Sequence, residues 1–188
     1  LALTAPLAAA GLLPAQTTLV HFRAFDASGK VVGLQVGATV HGNCFFGSIG
    51  LPRPDAWRCT VGNEIYDPCL ESPKGPAAPL ICVSGKRGIP LRVQVPLPVK
   101  LGNRPEAHFF AWRLVLSNGD VCQRFTGTAA GIVQGQGLVY GCASGGITTE
   151  PSSARPLWTV RYLAKGVDPR HVERLAELHV MRVATALG

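Results

Sequence analysis

Six cysteines, Cys44, Cys59, Cys69, Cys82, Cys122 and Cys142, constrain this chain more than any other feature of it. They form an even set without a single C-x-x-C pair. A structural zinc site shows two close ligand pairs, and a thioredoxin-like centre shows C-x-x-C beside a βαβ pattern. Neither is present, and "HGNC" offers a metal only His41 and Cys44, so no metal and no cofactor are expected. What remains is three disulfides, which persist where thiols are oxidised. The expected location is therefore secreted: extracellular, periplasmic or on the cell surface.

The rest of the chain divides at residue 16. Residues 1–16, "LALTAPLAAAGLLPAQ", are apolar and uncharged and read as a signal-peptide-like segment or a tether. Two prolines and a length short of the roughly 20 residues that span a bilayer argue against a transmembrane helix. If retained, the segment needs an apolar surface to lie on, such as that of a protein partner in the cell envelope. Residues 17–188 read as a single disulfide-stapled β domain. The net charge is +7, but the arginines are scattered singly from Arg23 to Arg182. That pattern describes a solvated basic surface open to an anionic polymer, without the basic run of a specific nucleic-acid binder.

The periodicity is that of strands. "TTLVHFRAFD" and "KVVGLQVGATV" alternate around "ASGK" and predict a hairpin, and a strand through Cys44 and Phe46 stops at Pro52 and Pro54. "PDAWRC" predicts a short helical turn and "YDPC" an Asp-Pro turn. Leu91, Val93 and Val95 alternate with Arg92 and Gln94, as on a half-buried strand. "SNGD" joins two β-rich runs through Asn-Gly, which favours a type I′ turn. "GLVYGC" and "PLWTVRYLA" add strands, and "DPRHVERLAE" predicts a short helix over 169–177 before a closing strand. The fold expected is mainly β: a sandwich or distorted barrel of antiparallel strands, with one short helix near the C-terminus and three disulfides.

One window, "RPDAWRCTVGNEIYDPC" at 53–69, concentrates chemistry-bearing residues. Asp55, Glu64 and Asp67 could supply the two carboxylates, about 5–10 Å apart, that cleave a glycosidic bond. Equally, Asp55 can cap a turn and pair with Arg53 or Arg58 while Asp67 shapes the turn before Pro68. Trp57 could stack on a sugar ring, or fill the core as buried aromatics commonly do. No serine sits in a G-x-S-x-G elbow, and "GTAAGIVQGQG" lacks the Gly-Lys-Ser/Thr ending of a phosphate loop. No catalytic residue is assigned, and the window's candidates for ligand binding are Trp57, Arg53, Arg58, Asp55, Glu64 and Asp67.

Read in order, "GNCFFGSI", "RPDAWRC", "GNEIYDPC", "ICV", "NGDVCQRFTG", "YGC" and "PLWTVRY" resemble a family of secreted or lipid-anchored bacterial proteins from actinobacteria and Chloroflexota. The resemblance spans roughly Gly42 to Tyr162. It implies an exported domain with cysteines at these points and brings no catalytic residues with it. Spacing leaves 15 pairings open for six cysteines. Neighbour pairing is the expectation adopted: Cys44 with Cys59, Cys69 with Cys82, and Cys122 with Cys142. The function expected is that of an exported, non-catalytic cell-envelope domain that binds a partner, including as an accessory or structural subunit of an extracellular assembly. The alternatives are an envelope glycan hydrolase built on Asp55, Glu64 or Asp67, and a polyanion-binding module.

Overall fold

The structure is a computed structural model that describes residues 16–75, 78–83, 90–95, 111–127, 130–172, 174 and 178–187. The expectations for residues 1–15 lie outside them. The described residues form two sheets. The first contains β2 (Thr39–His41), β3 (Asn43–Gly47), β4 (Ala56–Val61), β5 (Glu64–Leu70), β6 (Leu80–Cys82) and β7 (Leu91–Gln94), in the order β2-β7-β6-β5-β4-β3. It curls as a half-barrel, and among the described residues β2 and β3, separated by Gly42 alone, stand at its two ends. The second contains β8 (Arg113–Leu116), β9 (Val121–Arg124), β11 (Gln136–Cys142), β12 (Ile147–Thr149), β13 (Thr159–Leu163) and β14 (His179–Leu187). Pairing of β14 with β8 as well as β13 closes these six into a barrel. To it are added β1 (Thr18–Val20), parallel to the end of β14, and β10 (Gly131–Val133), antiparallel to β11.

Strand alternation sorts the buried side chains into separate cores, the smallest of them Val133, Leu138, Leu163 and Leu178 beside β10. In the half-barrel, Leu80, Cys82, Leu91 and Val93 face one core together with Trp57, Cys59 and Tyr66. Ile81, between Leu80 and Cys82, faces the other way, into a seam shared with Ala56, Leu70 and Trp112. The crossing segment between β1 and β2 fills that seam with Phe22, Ala24, Phe25 and Leu34. Phe22 meets the Trp112 ring edge-on at 5.4 Å. The barrel interior holds Leu114, Leu116, Tyr140, Val160 and Val183.

The six cysteines pair as neighbours: Cys44–Cys59, Cys69–Cys82 and Cys122–Cys142, leaving none free. Each bond joins residues directly opposite one another on adjacent strands: β3 and β4, β5 and β6, β9 and β11.

Four local expectations are corrected. First, the runs on either side of "ASGK" form a turn but not a hairpin of long strands. Asp26 Oδ1 accepts from the Ser28 and Lys30 amides, and a single bridge joins Phe25 to Val31. Beyond that bridge the runs part, β1 to the barrel and β2 in parallel to β7. Second, "PDAWRC" is a turn leading directly into β4, and "YDPC" lies inside β5. A register shift places Asp67 and Pro68 opposite Arg58 alone, and such a bulge accommodates a proline that has no N–H to give the ladder. Third, the "SNGD" turn has only Gly119 at positive φ (85°), whereas a type I′ turn needs two such residues. Asn118 instead accepts the Asp120 amide through its side chain. Fourth, the helix near the C-terminus is a single 3-10 turn, Pro169–His171. It is capped by Asp168 and ended by Val172 in extended backbone. The described residues hold no α-helix.

Candidate functional site

The dense window runs along β4 and β5, and these strands send its carboxylates to three different places. Asp55, in the turn before β4, receives Arg53 Nε at 3.0 Å and Nη2 at 2.6 Å, while Arg53 Nη1 donates to the Phe22 carbonyl at 2.6 Å. The guanidinium is thus committed on both sides and ties the turn to the crossing segment. Glu64, where β5 begins, accepts from the Tyr66 hydroxyl, and that bond raises the Tyr66 pKa.

Asp67 is only 3% exposed. It accepts the Ser48 hydroxyl, the Ile49 amide at 3.0 Å and the Gly50 amide at 3.3 Å. Burial pushes its carboxyl pKa up, against the pull of these donors and of Arg58, whose Nη1 lies 3.6 Å away. Arg58 also donates to the Thr126 carbonyl, just beyond β9, and so braces the half-barrel against the barrel. Ser48 completes the knot by accepting the Leu51 amide at 2.7 Å. "GSIG" therefore supplies hydroxyl and amide donors to a buried carboxylate. The sequence signal that could have revealed this is a serine among small residues, which leaves amides accessible at close range.

Trp57 lies in the core, 3% exposed, with its indole N–H donated to Glu71 Oε2 at 3.1 Å. Its face is not available to a sugar. The cysteine sulfurs at 59, 69 and 82 lie within 4.8 Å of one another, as do ligand atoms of Asp120, Cys122 and Cys142. Every one of those sulfurs is oxidised in a disulfide and has no thiolate to give a metal.

Two concave surfaces lie beside the window. One, of about 590 Å³, is lined by Arg53 and Asp55 together with Arg23, Asp26 and Glu71, three residues that sequence reasoning did not single out. Its carboxylates are engaged locally: Asp55 holds Arg53, Glu71 holds the Trp57 indole, and Asp26 holds its own turn. The other, of about 440 Å³, shares the walls Phe25 and Ser72 and is lined by Lys30, Lys74 and Arg92. Distinct from both is an exposed aromatic pair on the edge strand β3. Phe45 and Phe46 are 49% and 62% exposed, with ring centroids 5.0 Å apart. A register shift after Cys44 inserts Phe45 as an extra residue, and Phe46 falls opposite Arg58 rather than in the core.

Three disulfides suit an oxidising, extracytosolic setting. No described helix is long and apolar enough to cross a membrane. Comparison with family models, curated proteins and solved structures finds no match to this chain.

Proposed function

We propose that this protein is an exported, non-catalytic β domain that engages a protein partner along its edge strand β3. The observation that carries this reading is the Phe45–Phe46 pair. Strand alternation would turn one of two successive residues inward, and the bulge turns both outward. Asn43, Thr60 and Ile65 are opposite one another across β3, β4 and β5, so Ile65, 53% exposed, shares that outer face. Ile49, also 53% exposed, follows immediately after β3. Edge strands ordinarily carry charges or proline to discourage pairing, and an apolar edge is suited to association. Three disulfides support an exported location, and such a domain would serve as an accessory or structural subunit of an extracellular assembly.

The glycan-hydrolase reading loses its footing on the geometry. Asp67 is buried among four donors, Glu64 holds a tyrosine, and Asp55 is paired twice over with Arg53. None is left in a cleft as a free acid beside a free base.

The test is site-specific photo-crosslinking of the secreted protein, with the photoreactive residue at position 46 and, as a control, at Ile132, which is 70% exposed on β10. A discrete adduct from position 46 that disappears in Phe45→Ser is expected. Adducts from position 132 and none from position 46 would overturn the assignment of the face.

A further inference from the structure

Lys30, Lys74 and Arg92 converge on the 440 Å³ cleft from three separate parts of the chain. Lys30 closes the turn begun by Asp26, Lys74 stands in the turn between β5 and β6, and Arg92 lies on β7 opposite Ile81. No carboxylate is found among the described residues that line this cleft. The neighbouring concavity, across the shared Phe25 and Ser72, mixes two arginines with three carboxylates. Asp26 is the acid closest in sequence to Lys30, and its Oδ1 is occupied by the Ser28 amide, the Ser28 hydroxyl and the Lys30 amide. None of the three basic side chains has an ion pair within the described residues.

The arrangement is built rather than incidental. Gly29, at φ +78°, lies under the Lys74 stem: a Cβ there would come within 2.8 Å of Lys74 Cγ and 3.0 Å of Cδ and Cε. Glycine therefore seats the aliphatic stem on the turn and directs its ammonium from there. Opposite the charges, Phe25, Val31 and Pro79 give an apolar wall, with Ile81 buried at its base. A concavity lined by one sign of charge over low-dielectric walls concentrates counter-ions. Its volume is within the roughly 300–1,000 Å³ of small-molecule sites, so it holds more than a bare ion.

We propose that this cleft binds an anionic saccharide through a phosphate or sulfate group, with Lys30, Lys74 and Arg92 on the anionic oxygens and the sugar ring against Phe25 and Pro79. An arginine and two lysines suit a tetrahedral oxyanion, which offers several acceptors at once, and an aromatic wall suits the apolar face of a sugar. This site is independent of the partner-binding edge at Phe45 and Phe46.

The experiment is an amide-resolved NMR titration of the full chain with three probes: inorganic sulfate, a sulfated disaccharide and the same disaccharide without sulfate. The sulfated disaccharide is expected to shift the amides of Lys30, Ser72 to Gly75 and Arg92 most. Lys30→Gln and Lys74→Gln, both at exposed positions outside the core, are each expected to weaken binding roughly tenfold, the loss of one charge-assisted contact. Arg155→Gln removes the same charge from an exposed site before β13 and is expected to leave binding unchanged. Equal weakening by Arg155→Gln, or shifts spread over both sheets, would overturn the site in favour of general charge attraction. Binding of inorganic sulfate as tight as that of the sulfated disaccharide would overturn the sugar contact. Equal binding of the unsulfated disaccharide would overturn the anionic one.

Discussion

The half-barrel carries two disulfides on six strands, whereas the closed barrel carries one on its six. In the barrel each strand of the ring has a partner on both sides, because β14 pairs with β8 as well as β13. In the half-barrel, β2 and β3 each pair with one strand among the described residues, and the crossing segment and the barrel cover the seam face. The bonds Cys44–Cys59 and Cys69–Cys82 fasten β3 to β4 and β5 to β6, on either side of the β4–β5 pair. Among the described strands the two ends of this sheet meet through the run 39–47, which pairs with β7 before Gly42 and with β4 after it, and the cross-links and the Asp67 knot reinforce that junction. The comparison also explains the crowded window: one cysteine of each half-barrel cross-link, Cys59 and Cys69, and the buried carboxylate of Asp67 meet there.

The largest effect expected comes from removing both half-barrel disulfides by alanine substitution at Cys44, Cys59, Cys69 and Cys82. Each closes a loop worth about 3 kcal/mol in the chain-entropy model, so about 6 kcal/mol is lost, a large share of the roughly 5–15 kcal/mol of a typical domain. Urea unfolding followed by tryptophan fluorescence measures it, and the paired removal of Cys122 and Cys142 should cost only about half as much. Next is Asp67→Ala, which strands the Ser48 hydroxyl, two amides and Arg58, at about 3–5 kcal/mol in the same assay.

Asp67 sharpens the comparison through pH as well. Its folded pKa is raised by burial, so between its ordinary value and that raised value the folded protein holds a proton that the unfolded chain has released. Stability from this group therefore increases as pH falls through that window and decreases as pH rises through it. The dependence should be absent from Asp67→Asn when urea midpoints of the two proteins are compared across the acid range. On the barrel side, Gly146→Ala would drive a Cβ into the Tyr162 hydroxyl and ring, and would disturb the 2.9 Å contact between Ser144 Oγ and that hydroxyl. A cost of about 1–3 kcal/mol is expected in thermal unfolding, without loss of the half-barrel. The smallest effect is at the Arg53–Asp55 pair, whose side chains are 23% and 44% exposed; a double-mutant cycle should return less than about 1 kcal/mol.

Much of this architecture was legible where the signal is local. Leu91 and Val93 are buried and Arg92 and Gln94 half-buried, as alternation indicated, and the runs beside "SNGD" pair as β8 and β9. The closing strand is β14. Legibility ended where distant partners decide. Thr18 pairs with Thr185, and nothing within "TTLV" announces a parallel neighbour so far along the chain. The helix expected over 169–177 rested on an Asp-Pro start, and that start is used here by a single 3-10 turn. Tyr66 to Cys69 read as a turn because proline usually breaks a strand, and a bulge supplied by β4 removes the conflict. The outward Phe45 and Phe46 were hidden for the same reason, since a bulge inverts alternation. Lys30, Lys74 and Arg92 share a cleft only after folding, and their spacing carries no motif.

Hydrogen exchange read by mass spectrometry, with and without a thiol reductant, tests most directly the claim that the open sheet depends on its cross-links while the ring supports itself. Reduction should strip protection from β3 to β6 first and leave β8, β9 and β11 to β14 protected. Loss of the barrel's protection before that of the half-barrel, or simultaneous loss in both, would contradict it.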